Sequence, residues 1–360
     1  MLPLPAHDSG LVWVVNPSPW DTFSPYFSPV LIGALNGRLD PHMTPTFKKA
    51  NDMKSRDILK LMGRFAGRIL FGLMLSNISA CGNSTLTDNS AFCVPHDFSV
   101  VGSAPGVTIY ERTWAADKTD HKDYVQVIDL SSGASLEFFH GPIQTSSSDN
   151  PLMSREPLEW VWSTFYMDND QAFCLANAAF FNNDLPLLTT LAYPLKVDGN
   201  IVSYGYPSGE DPHCRGCPKM MLHVWENHAV ITEYDKSMLC QGSSSDCAPN
   251  IIVGNSNNAD RRATDLAGRT YVGTGDRQGD GIHELVLLLS TSNATAQQAT
   301  EILEQSFCAS QSMMLDGGGS TQLICSLDPV QAPDPVVRQQ PHEHTSNHWR
   351  ALGGIRLIRP

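Results

Sequence analysis

Residues 315–321 read Leu-Asp-Gly-Gly-Gly-Ser-Thr, and no other run in the chain has residue types and spacing better suited to chemistry. Three consecutive glycines bring no side chain to a core. They bring backbone freedom and close approach of N–H groups to a ligand. Asp316 stands at the entrance, Ser320 and Thr321 at the exit, with apolar stretches at 312–315 and 322–325. A strand, a glycine loop and a second strand or helix would set one carboxylate beside the amides of Gly317, Gly318 and Gly319, a nest able to hold an anion. Asp before Gly is also ordinary turn chemistry. No Gly-Lys-Ser/Thr follows, so the run is not a nucleotide phosphate loop, and its spacing is not that of a dinucleotide fingerprint.

Two other segments form a set with it. Asn177-Ala178-Ala179-Phe180-Phe181-Asn182 follows the apolar run 172–176. Gly268-Arg269-Thr270-Tyr271-Val272-Gly273 precedes a charged turn and the strand-like run 284–289. In this order the three resemble the motifs of the phosphodiester glycosidase family: Asn-Gly-Gly-Phe-Phe, Arg-Thr-x-x-Gly and Leu-Asp-Gly-Gly-Gly-Ser. Tyr124–Leu130 looks like the family's first strand, so the likeness spans about residues 110–360. The resemblance implies hydrolysis of a sugar-1-phosphodiester, with release of the sugar, in an envelope or exopolysaccharide glycoconjugate. There are departures. Ala178 and Ala179 replace paired glycines, and Met314 stands where many members carry Asn. An alanine methyl at a position of positive φ would be strained and would narrow the pocket.

The chemistry assigns roles. A glycosyl phosphodiester breaks at the anomeric carbon through an oxocarbenium-like state that a carboxylate can stabilise, or at which a carboxylate can activate water. The leaving phosphomonoester is already acidic, so a cation and backbone donors can take its charge in place of a proton donor. Asp316 is the expected carboxylate. Arg269 is the expected phosphate clamp, because a guanidinium binds two phosphate oxygens at once. Asn177 would orient the sugar or phosphate. Gly317, Gly318, Gly319, Ser320 and Thr270 would bind substrate, with Asp184 a second carboxylate. Against these stand plainer roles: Asp316 as a turn cap, Arg269 paired with Asp265, Asn177 closing a strand end, Phe180 and Phe181 as core. The alternative in another class is a non-catalytic surface protein that binds phosphorylated glycans through the same loop. The sequence calls for no particular cofactor, leaves a divalent cation open and names no metal ligands.

Upstream, the chain reads differently. Lys60, Arg64 and Arg68 precede the apolar run 69–75, and Ile78-Ser79-Ala80-Cys81-Gly82 follows. A basic region, a short apolar core and a small-residue site make a secretory signal, and the core is too short to span a bilayer. Its ending resembles a bacterial lipobox, which would lipidate Cys81 and anchor an exported protein to a bilayer in the cell envelope. The expected organisation is a disordered leader over 1–61, a lipoprotein-type signal over 62–81, an exposed tether over 82–108 and one enzyme-like domain over 109–360.

Composition agrees with export. With 24 Lys and Arg against 37 Asp and Glu, the net charge is −13, and an acidic chain lacks the basic face that nucleic acid demands. Of nine cysteines, setting Cys81 aside leaves an even number, which in an exported chain reads as disulfides. Cys240 with Cys247 and Cys308 with Cys325 are plausible neighbours; zinc held by Cys214, Cys217, Cys240 and Cys247 ranks lower. His213 and His223 read as surface or loop residues. Strand signals dominate. Ser131-Ser132-Gly133 and Asp198-Gly199-Asn200 read as hairpin turns, and 228–234 and 354–358 as strands. Residues 295–307 carry apolar positions at helical spacing behind Thr295 as N-cap. Many strands with one or two helices, on a mixed or antiparallel sheet, make an α+β domain.

Overall fold

Both faces of the long strands are apolar, so each must be covered, and this dictates the layering. The computed structural model describes residues 93–113, 122–145, 149–182, 187–206, 214, 216–326, 337–339, 350–351 and 353–359. The principal strands are β1 (Ser99–Ala104), β2 (Val107–Thr113), β3 (Lys122–Asp129), β4 (Ser135–His140), β5 (Ala172–Asn177), β6 (Leu195–Val197), β7 (Asn200–Ser203) and β8 (Lys219–Val224). They continue with β9 (Ala229–Glu233), β10 (Asn250–Ser256), β11 (Ala267–Gly275), β12 (Leu285–Ala294), β13 (Gln311–Met314), β14 (Leu323–Cys325), β15 (Val337–Gln339) and β16 (Gly353–Ile358). The helices are α1 (Leu158–Asp168) and α2 (Ala296–Glu301), the latter continued by a π-helical turn over Ile302–Ser306.

Strands β1-β2-β3-β12-β11-β13-β10-β8-β9 run side by side in a large sheet, with the β6–β7 hairpin joined to β10. A second sheet has the order β15-β14-β5-β16-β4. Pairing is antiparallel throughout both. Tyr124, Ile128, Val272, Val286 and Leu288 of the large sheet meet Cys174, Ala176, Leu323, Ile355 and Leu357 of the second in a core between the sheets. On the outer face of the large sheet, Val125, Val127, Tyr271 and Leu289 pack under Ala299, Leu303 and Phe307 at the α2 end. On the outer face of the second, Leu175 and Ile324 pack under Leu158, Trp162 and Phe165 of α1. The result is α+β in four layers: helix, sheet, sheet, helix. Because both faces of β3, β11 and β12 are covered, their residues are buried with almost no in–out alternation. Among the described residues no helix is long and apolar enough to cross a membrane.

The α2 helix starts as its sequence dictates. Thr295 accepts from Gln298 N at 3.2 Å while the Gln298 side chain accepts from Thr295 N at 2.9 Å, a reciprocal capping box. The turn Asp198-Gly199 closes the β6–β7 hairpin with both residues at positive φ, as a two-residue hairpin requires. The expected hairpin at 131–133 is not one. A 3-10 turn at Leu130–Ser132, capped by Asp129, redirects the chain, so β3 enters the large sheet and β4 the second. Within the expected tether, residues 99–104 form the edge strand β1, and Cys93 is bonded to Cys308. The Cys308–Cys325 pairing is likewise replaced. Cys325 of β14 lies directly opposite Cys174 of β5 and bonds to it, while Cys308 turns at φ 57 to reach Cys93. Cys240 bonds to Cys247, and Cys214 to Cys217, so these four sulfurs are spent on disulfides and not on zinc. The leader, the signal segment, the lipidation site Cys81, Asp184 and His213 lie outside the described residues.

Candidate functional site

The glycine run is the strap that carries the chain from one sheet to the other. Strand β13 ends at Met314 in the large sheet, and β14 begins at Leu323 in the second. Leu315 N still donates to Thr270 O of β11 at 2.9 Å, but Asp316 N donates to Ala178 O, just past β5, at 2.8 Å. Asp316 is therefore fixed where the two sheets meet. A 3-10 turn over Gly318–Ser320 follows, with Gly318 at φ 65, where a side chain would be strained. Gly268 lets the strap lie flat on β11: a Cβ there would stand 2.6 Å from Gly318 O and 2.8 Å from Thr321 Oγ1.

Asp316 is 9% exposed. Its Oδ2 accepts from Asn177 Nδ2 at 3.1 Å and its Oδ1 from Gly317 N at 3.0 Å. Burial pushes its carboxyl up to about 6, against the opposing pull of the Arg261 charge and of hydrogen bonds from Asn177, Ser320 and Gly317. A carboxylate so placed is largely ionised at neutral pH, and buried acids with shifted titration of this kind cluster at functional sites. It opens into a cavity of about 320 Å³ walled by Phe180, Phe181, Met314 and Leu315 and bordered by Arg261, Arg262, Arg269, Gly317, Gly318, Gly319 and Ser320. That volume is at the lower end of the roughly 300–1,000 Å³ of small-molecule pockets.

Several expectations change. Arg269 borders the cavity, but its guanidinium is committed to the backbone: Nε donates to Ala294 O at 3.1 Å, and Nη2 to Arg262 O at 2.6 Å and Asp265 O at 2.9 Å. It braces the loop 262–265 and is poorly placed to clamp a phosphate. The cation coupled to Asp316 is Arg261, whose guanidinium lies 4.6 Å over the Phe180 ring and which is also hydrogen-bonded to Tyr193. Its sequence signal was a doublet, Arg261-Arg262, in a chain otherwise short of bases. Asn177 is fully buried and does not border the cavity; its amide orients the carboxylate, not a ligand. Thr270 is 1% exposed and serves through its carbonyl. The amide of Gly317 is taken by the Asp316 carboxylate itself, which leaves Gly318 and Gly319 as the amides of the proposed nest.

The alanines at 178 and 179 neither strain the backbone nor narrow the cavity. Neither has positive φ, both are buried in the core between the sheets, and both amides donate to Gly353 O, at 3.2 and 3.1 Å. Phe180 and Phe181 are core and wall at once: Phe180 packs edge-on against Tyr193 at 5.2 Å, and Arg155 sits 4.4 Å over Phe181. Among the described residues no three or more His, Cys, Asp or Glu side chains converge as a metal site.

The fold and site define a class: a two-sheet α+β protein with one buried carboxylate at the junction of its sheets, faced by arginines. No family model matches the chain, and no curated protein matches it. Among solved structures it is similar to a hypothetical protein from Synechocystis, with 13% identity and a TM-score of 0.43 over 73% of this chain and 64% of that one. It is also similar to the catalytic domain of zebrafish N-acetylglucosamine-1-phosphodiester alpha-N-acetylglucosaminidase, auto-inhibited by its pro-peptide. There the identity is 14% and the TM-score 0.45, over 74% of this chain and 89% of that one.

Proposed function

We propose that the protein hydrolyses a sugar-1-phosphodiester, with Asp316 at the anomeric centre and Arg261 beside the phosphate. The observation that supports this most is the juxtaposition of a buried carboxylate, near its titration point, with Arg261 and Arg262 around one small cavity. The positively charged rim suits a phosphodiester. The ionised carboxylate suits the positive charge that develops on the sugar, or the activation of water against it. Phe180 and Phe181 offer apolar surface to a sugar ring. Asp316 is the sole carboxylate among the described residues that border the cavity. Two carboxylates are the rule for ordinary glycosides, but a phosphate leaves without protonation. Export to a cell envelope, with glycoconjugates there as substrates and Cys81 as a lipid anchor, belongs to the same reading; the four disulfides, typical of oxidising compartments, support its first part.

The test is release of free sugar from a panel of sugar-1-phosphodiesters by the protein, Asp316→Asn and Arg261→Ala. Release that is abolished in Asp316→Asn and weakened in Arg261→Ala supports hydrolysis at this site. A folded protein that releases nothing, yet binds phosphorylated glycans equally well as Asp316→Asn, is the non-catalytic binder.

A further inference from the structure

Lys196 is a buried charge with no carboxylate paired to it among the described residues. It lies in β6 opposite Ile251 of β10 and is 0% exposed. Its ammonium donates to Gly242 O at 2.7 Å, Ala248 O at 2.6 Å and Cys247 Sγ at 3.0 Å. Those three acceptors use all three N–H bonds, and no carboxylate pairs with it among the described residues. His223, which feels the Lys196 charge, is itself held neutral by burial and by that charge. An ammonium taken out of water is costly unless a negative charge answers it, and a disulfide sulfur is a weak acceptor. A thiolate on Cys247 would be the missing counter-charge, at the same atom and already within hydrogen-bond distance.

We propose that Cys240–Cys247 is a redox-active disulfide and that Lys196 is the built-in counter-ion of its reduced form. The two sulfurs are unequally placed. Cys247 is 7% exposed, whereas Cys240 is half-buried and borders the exposed run 241–246. An external dithiol therefore attacks Cys240: its thiolate forms a mixed disulfide with Cys240 Sγ, the 240–247 bond breaks, and the electron pair leaves on Cys247 Sγ as a thiolate held by Lys196. The second thiol of the reductant, as its thiolate, then displaces Cys240, whose sulfur takes up a proton. The reductant ends as a disulfide, and this chain gains two electrons. A stabilised leaving thiolate both speeds the exchange and makes the disulfide more oxidising. Cys174–Cys325 lies in the core between the sheets, away from any exposed run of chain. Reduction would untie the loop 241–246, which accepts from Trp225 Nε1 through Ser244 O at 3.0 Å and from Ile201 N through the Gln241 side chain at 3.1 Å. The proposal is independent of the glycosidase reading.

The full-length oxidised protein is equilibrated in a series of dithiothreitol redox buffers at pH 7, freed thiols are trapped by alkylation, and each cysteine is scored by mass spectrometry. Cys240–Cys247 should be reduced at a higher potential than Cys174–Cys325. In Lys196→Met its equilibrium constant for reduction should fall at least tenfold, about 30 mV at two electrons, while Lys196→Arg restores most of it. An unchanged equilibrium in Lys196→Met overturns the proposal. If Lys196→Met does not fold, the reduced wild type decides. Alkylation of Cys247 against pH should titrate below the free-thiol value of about 8.5, and titration at or above that value overturns it.

Discussion

At the scale of the residue, Asp316 sets the pH behaviour. Its carboxyl is held by burial at about 6 in the folded chain, against about 3.9 in an unfolded one. Between these values the folded state keeps a proton that the unfolded state has lost, so this group stabilises the fold progressively less as pH rises from about 4 to about 6. Above that range its unfavourable contribution is constant. Asp316→Asn removes the titration. The stability difference between variant and wild type, from urea unfolding at pH 4 and pH 7, should shift in the variant's favour by about 2–3 kcal/mol. Turnover should show an acid limb near pH 6, with the ionised form active, and Asp316→Asn should lower kcat by roughly 10²–10⁴-fold. A limb of opposite sign would make Asp316 an acid. Arg261 pulls the Asp316 carboxyl down; Arg261→Ala should therefore move the same limb to higher pH as well as raise KM. Arg261→Lys should hold the limb while losing the planar stack on Phe180. A limb unmoved in Arg261→Ala would disconnect the two groups.

At the scale of the element, the glycine strap depends on what lies beneath it. Gly268 occurs within β11, a strand with every residue buried, and its missing side chain is the space filled by Gly318 O and Thr321 Oγ1. Both obstacles are fixed, one of them backbone. Gly268→Ala should therefore lift the strap, destabilise the fold by about 1–3 kcal/mol and cut activity more than stability, as paired urea unfolding and turnover would show. The sequence carried this element unevenly. The glycine run, the strand signals and the Thr295 cap are local features, and they are legible because period, capping and turn chemistry act over a few residues. The commitment of Arg269 to the backbone is not local. It follows from Arg269 meeting three carbonyls, those of Arg262, Asp265 and Ala294, and nothing in an Arg-Thr pair announces which carbonyls will surround it. The supposed hairpin at 131–133 failed for a related reason: turn residues specify a reversal of the chain, but not which of two sheets receives the next strand.

At the scale of the whole molecule, the disulfides act on different parts of the layering. Cys174–Cys325 joins two strands that already share a ladder. Cys93–Cys308 spans 215 residues and ties the approach to the edge hairpin β1–β2 to the end of the π-helical turn after α2. There Phe98 meets Phe307 edge-on at 5.0 Å, Tyr110 meets the same ring at 5.5 Å, and Arg112 covers Phe98 at 4.6 Å. That small aromatic cluster is the seam between the sheet edge and the helix layer. Closing so long a loop constrains the unfolded chain strongly, and removing such a bridge costs about 2–5 kcal/mol. The site lies elsewhere, at the junction of β13 and β14, and draws no residue from β1, β2 or α2. Replacing Cys93 and Cys308 together by alanine should therefore lower the urea midpoint and release amide protection first in β1 and β2, while the acid limb near pH 6 stays where it is. Hydrogen exchange read strand by strand, beside the pH profile, checks both halves. Loss of protection that begins in β13 and β14 instead would mean that this seam, which shares a core cluster with Phe180 and Met314 of the cavity wall, is what holds the strap in place.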